Sequence, residues 1–299
     1  MSVRKKFRAI MSGNKLVLMP GCYDALSARV IESEGFEAIV AGGYAAVGSL
    51  LAQPDMGQSN MRDYADHYSR VCAAVNVPVY VDADTGFGGF NNVRQMVRAF
   101  EDAGVAGLFI SDQVFPNRCG YLPGKQVIST EQMLAKMKAA LDARRDGDLF
   151  IAARTDAAGV TSVEDAIERC QLFMEAGVDM AKPMGVDTIP EIKRAMREIP
   201  GPHMATLSQA AGPKARSLEE LEAAGVVAAT FPSLPLFAAA NAVRTAVRTL
   251  KAKNSLSACQ DLVLTLDDYY DLVGLKPMLA REEAYDQAAA ALTHKRAAE

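Results

Sequence analysis

Short apolar runs alternate along this chain with longer stretches in which apolar residues return every three or four positions. The runs at 16–19, 38–41, 77–83, 107–111, 150–154, 179–182, 203–207 and 226–231 read as buried strands, eight in all. Between them the spacing is helical: Val93, Met96, Val97 and Phe100 fall at i, i+3, i+4 and i+7, one face of a helix. Pro20-Gly21 stops the first run, and 25–34 then reads as a helix closed by Gly35 in a C-cap position. The phrase Ala-Gly-Val recurs at 103–105, 176–178 and 224–226, a glycine cap followed at once by the next strand. Strands that alternate with helices this regularly pair in parallel. Eight of them predict a closed (β/α)8 TIM barrel, with an open doubly wound sheet as the alternative. Beyond the eighth strand, 236–250 reads as the closing helix and 259–275 as one or two more. With no low-complexity segment or composition shift to mark a linker, 1–299 reads as a single barrel domain, with 254–299 as a C-terminal helical extension.

Composition adds exclusions. Half of the residues are hydrophobic and 23% are charged, the usual balance of a soluble globular protein. A net charge of -4 offers no broad attraction to nucleic acid or to an anionic membrane. No apolar run reaches the roughly 18 residues that a bilayer span requires. The basic start Arg4-Lys5-Lys6 has no hydrophobic region of signal-peptide length behind it. Five cysteines, Cys22, Cys72, Cys119, Cys170 and Cys259, are odd in number and lack C-x-x-C spacing. They suit a reducing cytoplasm better than a disulfide scaffold or a structural zinc site.

Candidate chemistry gathers on residues 78–89, an apolar run that ends in Asp82 and Asp84 and then a glycine-rich turn. Side chains two apart on an extended strand point the same way. Two acids this close repel, and burying them calls for a cation or a shared proton. A metal site at a strand end and a solvated strand end that caps a helix both satisfy the pattern. In a barrel, chemistry collects at the C-terminal ends of the strands. That rule adds Ser111-Asp112-Gln113 after the fourth strand and Arg154-Thr155-Asp156 after the fifth. Two connections, 42–60 and 112–129, exceed the usual βα loop, as lids and binding loops do. In the second, Cys119 lies beside Arg118 and near Lys125, and neighbouring cations lower a thiol's pKa. A small apolar side chain packed under a loop is the plain alternative for that cysteine. Among the histidines, His67 and His294 read as surface residues and His203 as the start of a strand.

These segments come in a telling order: a long loop with Pro54-Asp55, then Val81-Asp82-Ala83-Asp84-Thr85-Gly86-Phe87-Gly88, then Asp112-Gln113 with Arg118-Cys119-Gly120, then Ala153-Arg154-Thr155-Asp156. In that order the chain resembles the isocitrate lyase and phosphoenolpyruvate mutase superfamily over about residues 16–275. It looks most like the short members around 2-methylisocitrate lyase, dimethylmalate lyase and oxaloacetate hydrolase. The resemblance implies a Mg²⁺ ion, with Mn²⁺ as a substitute, held directly by Asp84 and through its waters by Asp82 and Asp55. It implies that Arg154 grips a substrate carboxylate and that the backbone of Ala41-Gly42-Gly43 receives carboxylate and oxyanion. Gly120 then belongs to the substrate site, and Cys119 is the acid or base of the lid. C-terminal helices exchange between subunits in this superfamily, which implies a homodimer or homotetramer.

The activity so implied is Mg²⁺-dependent cleavage of a carbon–carbon bond in a 2-hydroxy di- or tricarboxylic acid, giving a 2-oxo acid and a carboxylic acid. Hydrolysis or decarboxylation of a 2-oxo diacid such as oxaloacetate is the alternative in the same site. Phosphonate chemistry is disfavoured by Cys119, which the mutases generally lack, and a non-catalytic barrel is the remaining class. Several positions depart from the lyase pattern: Ser111 stands for a Glu, Tyr121 for a His and Met184 for a Glu. Thr206 and Gln209 stand near an Asn and a Glu, and Lys182 is either a compensating charge or a residue that points to solvent. An unmatched substrate carboxylate is costly to desolvate, so these changes favour a smaller or more apolar diacid over isocitrate or 2-methylisocitrate.

Overall fold

The eight apolar runs are eight strands: β1 Val17–Pro20, β2 Ile39–Ala41, β3 Val79–Asp82, β4 Gly107–Ser111, β5 Phe150–Thr155, β6 Met180–Pro183, β7 Met204–Thr206 and β8 Ala228–Phe231. They are seen in a computed structural model that describes residues 1–120, 122–208 and 216–297. All the pairings are parallel, with β2 to β6 in one ladder and β7, β8 and β1 in another. A parallel bridge between Gly21 and Val40 joins β1 to β2. Pairing of the last strand with the first closes the sheet and rules out the open alternative; the fold is a (β/α)8 barrel. Between β6 and β7 the described residues form no ladder, and the Lys182 ammonium crosses that seam to the Thr206 hydroxyl.

Helices α2 Ala25–Ser33, α3 Gly43–Leu51, α4 Met61–Ala74, α5 Phe90–Asp102, α6 Thr130–Ala143, α7 Val163–Glu175, α8 Ile189–Glu198 and α9 Leu218–Ala224 follow strands along the chain. Val93, Met96, Val97 and Phe100 of α5 are all buried, as their spacing predicts. Two findings differ from the sequence reading. The connection at 42–60 contains α3, so only its second part is loop. His67 is buried on the inner face of α4 rather than exposed, and burial lowers its pKa.

Two apolar layers result. One lies between strands and helices. The other fills the barrel itself with Met19, Val40, Tyr80, Phe150, Met180 and Met204, and receives Phe7 and Met11 from α1, Val3–Met11. The Phe7 ring stacks on Tyr80 and meets Phe150 edge-on, both at 5.3 Å between centroids. Tyr80 and Phe150 start their strands, so α1 plugs the N-terminal end of the barrel. Gly107 leaves room for it: a Cβ there would lie 3.0 Å from the Phe7 ring. The basic residues of the N-terminus hold the plug in place. Arg4 pairs with Asp146 at 2.7 Å, and Arg8 pairs with Asp179 at 3.0 Å.

The chain divides into two compact units, 1–238 and 239–299. The second therefore begins inside α10, Leu234–Lys253, earlier than position 254. It continues through a 3₁₀ helix at Leu256–Leu262, α11 Leu266–Val273 and α12 Leu275–Ala297. Among the described residues no helix is long and apolar enough to cross a membrane.

Truncating the plug tests its role. Phe7→Ala is expected to destabilise the protein by about 3 kcal/mol or more in denaturant titration, since it empties a fully enclosed aromatic site. A loss under about 1 kcal/mol would show that α1 only covers the barrel.

Candidate active site

Residues from the C-terminal ends of the strands enclose a cavity of about 100 Å³ at the barrel mouth. That is small beside the roughly 300–1,000 Å³ of pockets for drug-sized ligands, so the space suits a compact molecule. Its wall includes Gly42, Gly43, Asp55, Asp82, Asp84, Cys119, Gly120 and Arg154. Ala41 does not line it: that side chain packs between strands and helices, leaving only its backbone to serve the site.

The two acids of the D-x-D converge for a different reason from strand alternation. β3 ends at Asp82, and Asp84 lies beyond it in the left-handed region at φ +46°. Its N–H donates to Asp82 Oδ1 at 2.9 Å, and its Oδ1 accepts from Asn117 Nδ2 at 2.8 Å. Lys136 of α6 donates to the Thr85 carbonyl at 2.8 Å and braces the turn from outside. Gly43 shows how near both carboxylates come. A Cβ there would lie 3.2 Å from Asp82 Oδ2, 3.3 Å from Asp84 Oδ1 and 2.9 Å from the Tyr64 hydroxyl. The Gly43 N–H donates to Asp82 Oδ2 at 3.2 Å.

Asp55, in the loop after α3, accepts from the Gly57 N–H at 3.3 Å. Burial, and then the Asp82 charge, push its carboxyl up to about 6. Burial raises Asp82 despite the opposing charge of Arg154. Asp84, buried and facing both Asp82 and Asp55, lies well above the ordinary carboxylate range. Three enclosed acids that resist ionising together are what a cation would relieve. Among the described residues no group of three or more His, Cys, Asp or Glu is drawn close enough to hold an ion unaided. Carboxylates are the donor type that hard cations such as Mg²⁺ take, one or two at a time with water completing the shell.

Opposite the acids stands Arg154. The ladder aligns Ser111, Arg154 and Lys182 across β4, β5 and β6, which sends the three side chains to one face. Arg154 Nη2 donates to Asp156 Oδ1 at 3.0 Å, while Nε lies 2.9 Å from Oδ2 without hydrogen-bond alignment. Although burial opposes its charge, Asp156 and Asp82 hold the guanidinium above its ordinary range. Asp156 is held at about 2, because Arg154 and Lys125 outweigh its burial. Lys125 donates to Asp156 Oδ1 at 2.8 Å and to the Gly120 carbonyl at 2.6 Å, and Ser111 Oγ donates to Asp156 Oδ2 at 3.3 Å. Ser111 thus serves the arginine's partner rather than the acid cluster.

Cys119 also borders the cavity, on the connection after β4. The cations next to it in sequence are engaged elsewhere: Lys125 with Asp156, and Arg118 Nη1 with the Pro123 carbonyl at 3.3 Å. Arg154 is a cation within electrostatic reach of Cys119, and the ionised sulfur would favour its charge. Gln113 clamps the connection by accepting from the Arg118 N–H at 2.9 Å and donating to the Arg118 carbonyl at 3.1 Å. Gly120 passes so close to the guanidinium that a Cβ would lie 2.5 Å from Arg154 Nη2. Met184 and Thr206 line the cavity, whereas Tyr121 and Gln209 lie outside the described residues. Sequence reasoning gave Asp156 and Asn117 no role; the Arg-Thr-Asp order was the available signal for Asp156, and nothing local marks Asn117.

The sequence pattern of the phosphoenolpyruvate phosphomutase family matches residues 7–251. The chain belongs to this family. It is 35% identical to 2,3-dimethylmalate lyase of Eubacterium barkeri over 285 residues, covering 95% of this chain and 99% of that one. It is 38% identical to 2-methylisocitrate lyase of Aeropyrum pernix over 267 residues, covering 89% and 86%. A solved phosphonopyruvate hydrolase, in complex with oxalate and Mg²⁺, superposes with a TM-score of 0.84 at 26% identity, covering 95% and 99%. The family thus includes carbon–carbon lyases, and a metal ion is bound in a structural neighbour of this chain.

The acid cluster makes a signed prediction. A carboxyl whose folded pKa is raised takes up a proton on folding, so the metal-free protein loses stability as pH rises from about 4 through the folded value. For Asp55 that value is about 6. Melting temperature with a chelator should fall between pH 5 and pH 7, and Mg²⁺ should raise it more at pH 7. Asp84→Asn should raise the metal-free melting temperature at pH 7 and erase the response to Mg²⁺. An equal Mg²⁺ effect at both pH values would count against this account.

Proposed function

We propose that the protein is a Mg²⁺-dependent carbon–carbon lyase that cleaves a compact 2-hydroxy diacid into a 2-oxo acid and a carboxylic acid. The observation that carries this reading is the meeting of two buried acids, Asp55 and Asp84, the half-buried Asp82, an arginine locked by its own carboxylate and a lid cysteine around one small cavity. Asp84, with Asp82 and Asp55 beside it, would hold the ion, and Mn²⁺ can substitute. The metal supplies Lewis acidity for the oxygens of the 2-hydroxy acid head.

The chain's own groups do the rest. Arg154, held in orientation by Asp156, binds the head carboxylate and keeps its positive charge throughout. An ionised carboxylate of the acid cluster takes the hydroxyl proton as the carbon–carbon bond breaks, and the bonding pair moves to the departing acid's α-carbon. Cys119 hands its proton to that carbon. The connection after β4, clamped by Gln113, keeps bulk water from the carbanion. Hydrolysis of oxaloacetate is the second reading, since the same head would bind, and it requires water at the place where the thiol reacts.

We place the protein in a reducing cytoplasm, in keeping with five cysteines of which none is in a disulfide. We further propose a homo-oligomer, dimer or tetramer. The second unit exposes Val243, Val247, Leu264, Leu266, Tyr285 and Leu292, more apolar surface than a solitary helical tail usually leaves in water.

Identifying products by NMR across a panel of 2-hydroxy diacids should reveal a 2-oxo acid and a carboxylic acid in equal amounts. Oxalate and acetate from oxaloacetate would instead establish the hydrolase. Cys119→Ser is expected to lower turnover by at least about a thousandfold while Mg²⁺ and oxalate still bind in calorimetry, and near-normal cleavage would remove the thiol from the mechanism.

A further inference from the structure

Among the described residues, two cations that line the barrel mouth have no carboxylate partner: Arg118, which donates to the Pro123 carbonyl of its own loop, and Lys182 on β6. Arg154 and Lys125 rest on Asp156, Arg169 on Asp112, and Arg216 on Asp187 at 3.1 Å. Lys182 rests on a hydroxyl: its ammonium donates to Thr206 Oγ1. Thr206 Oγ1 lies 3.0 Å from Thr230 Oγ1, and Thr230 reaches the Ala205 carbonyl at 3.3 Å. The hydroxyls can orient the lysine but cannot neutralise it. Arg216 Nη2 donates to the Thr206 carbonyl at 3.3 Å and brings another positive charge to the same seam. Burial, then the Arg154 charge, push the Lys182 ammonium down to about 7 against the pull of Asp187, with Arg216 adding to the fall and Asp82 opposing it.

Position says what would relieve this charge. Lys182 is the register partner of Arg154, and both line the cavity that the acids close from β3. Two strands, β4 and β5, lie between Asp82 on β3 and Lys182 on β6, which sets the two side chains on different sides of the mouth. A substrate whose head lies among Asp84, Asp82 and Arg154 therefore extends toward Lys182, in a cavity whose walls also include Met184, Met204 and Pro232.

We propose that Lys182, oriented by Thr206, is the seat of a second, distal carboxylate of the substrate. This rests on the head of the substrate binding as described under the proposed function. One ammonium among apolar walls matches one carboxylate. A second distal carboxylate would meet methionine and proline, so the site selects a dicarboxylate over both a monocarboxylate and a tricarboxylate.

Calorimetry on the Mg²⁺-loaded protein tests the proposal with lactate and malate, which share the 2-hydroxy acid head and differ in the distal carboxylate. Oxalate serves as a probe of the head alone. Wild type should bind malate about ten- to a hundredfold more tightly than lactate. Lys182→Met should lose that preference, Lys182→Arg should keep part of it, and oxalate affinity should stay within about threefold in both. Should Lys182→Met not fold, Thr206→Val reads the same site and should reduce the preference severalfold. Equal binding of malate and lactate by a wild type that binds oxalate, or a preference kept in Lys182→Met, would overturn the role of Lys182 alone. No Mg²⁺-dependent oxalate binding in wild type would overturn the head reading, and this proposal with it.

Discussion

The site hangs on one buried carboxylate. Asp156 receives Arg154 from its own strand end, Lys125 from the connection after β4, and Ser111 from β4 itself. Because it is fully enclosed, leaving any of these cations without it would strand a charge in a low-dielectric setting. The arginine's direction, the position of Gly120 and the path of the cysteine-bearing connection are consequently one structural decision.

Around that anchor the mouth is polarised. Acids gather at the end of β3 and in the loop after α3; cations gather on β5 and β6 and at Arg216 ahead of α9. Arg154 and Arg216 have carboxylate partners, whereas the acids at β3 and, among the described residues, Lys182 lack a paired counter-charge. A small anion bridging a metal ion to the cationic wall would offset both imbalances at once, and neutral ligands would leave both in place. Selectivity for anions is in this sense a property of the empty barrel before any single contact is counted.

Much of this was legible in sequence. All eight strands, the inner face of α5 and the positions of Asp82, Asp84, Asp55, Cys119 and Arg154 around one cavity follow from periodicity, the strand-end rule and the family resemblance. What escaped was non-local. Phe7 gives no hint in sequence that it will stack on Tyr80, because the plug joins residues far apart in the chain. Lys125 and Arg118 looked like partners of Cys119 because they are its neighbours along the chain, yet each is drawn to an acceptor elsewhere, and the thiol's cation comes from another strand. His67 looked like a surface residue because polarity alone does not reveal which face of a helix turns inward.

Asp84 combines two demands that are usually separate, since its carboxylate belongs to the acid cluster and its backbone sits in a left-handed turn. Few side chains tolerate that turn; asparagine, aspartate and glycine do so most readily. The history of this position is thereby constrained. If Asp84 holds an ion as proposed above, a descendant without that ion would still be confined by the chain's geometry to a near relative of aspartate, one substitution from the present residue. Backbone shape, in effect, keeps a memory of the chemistry even where the chemistry has lapsed.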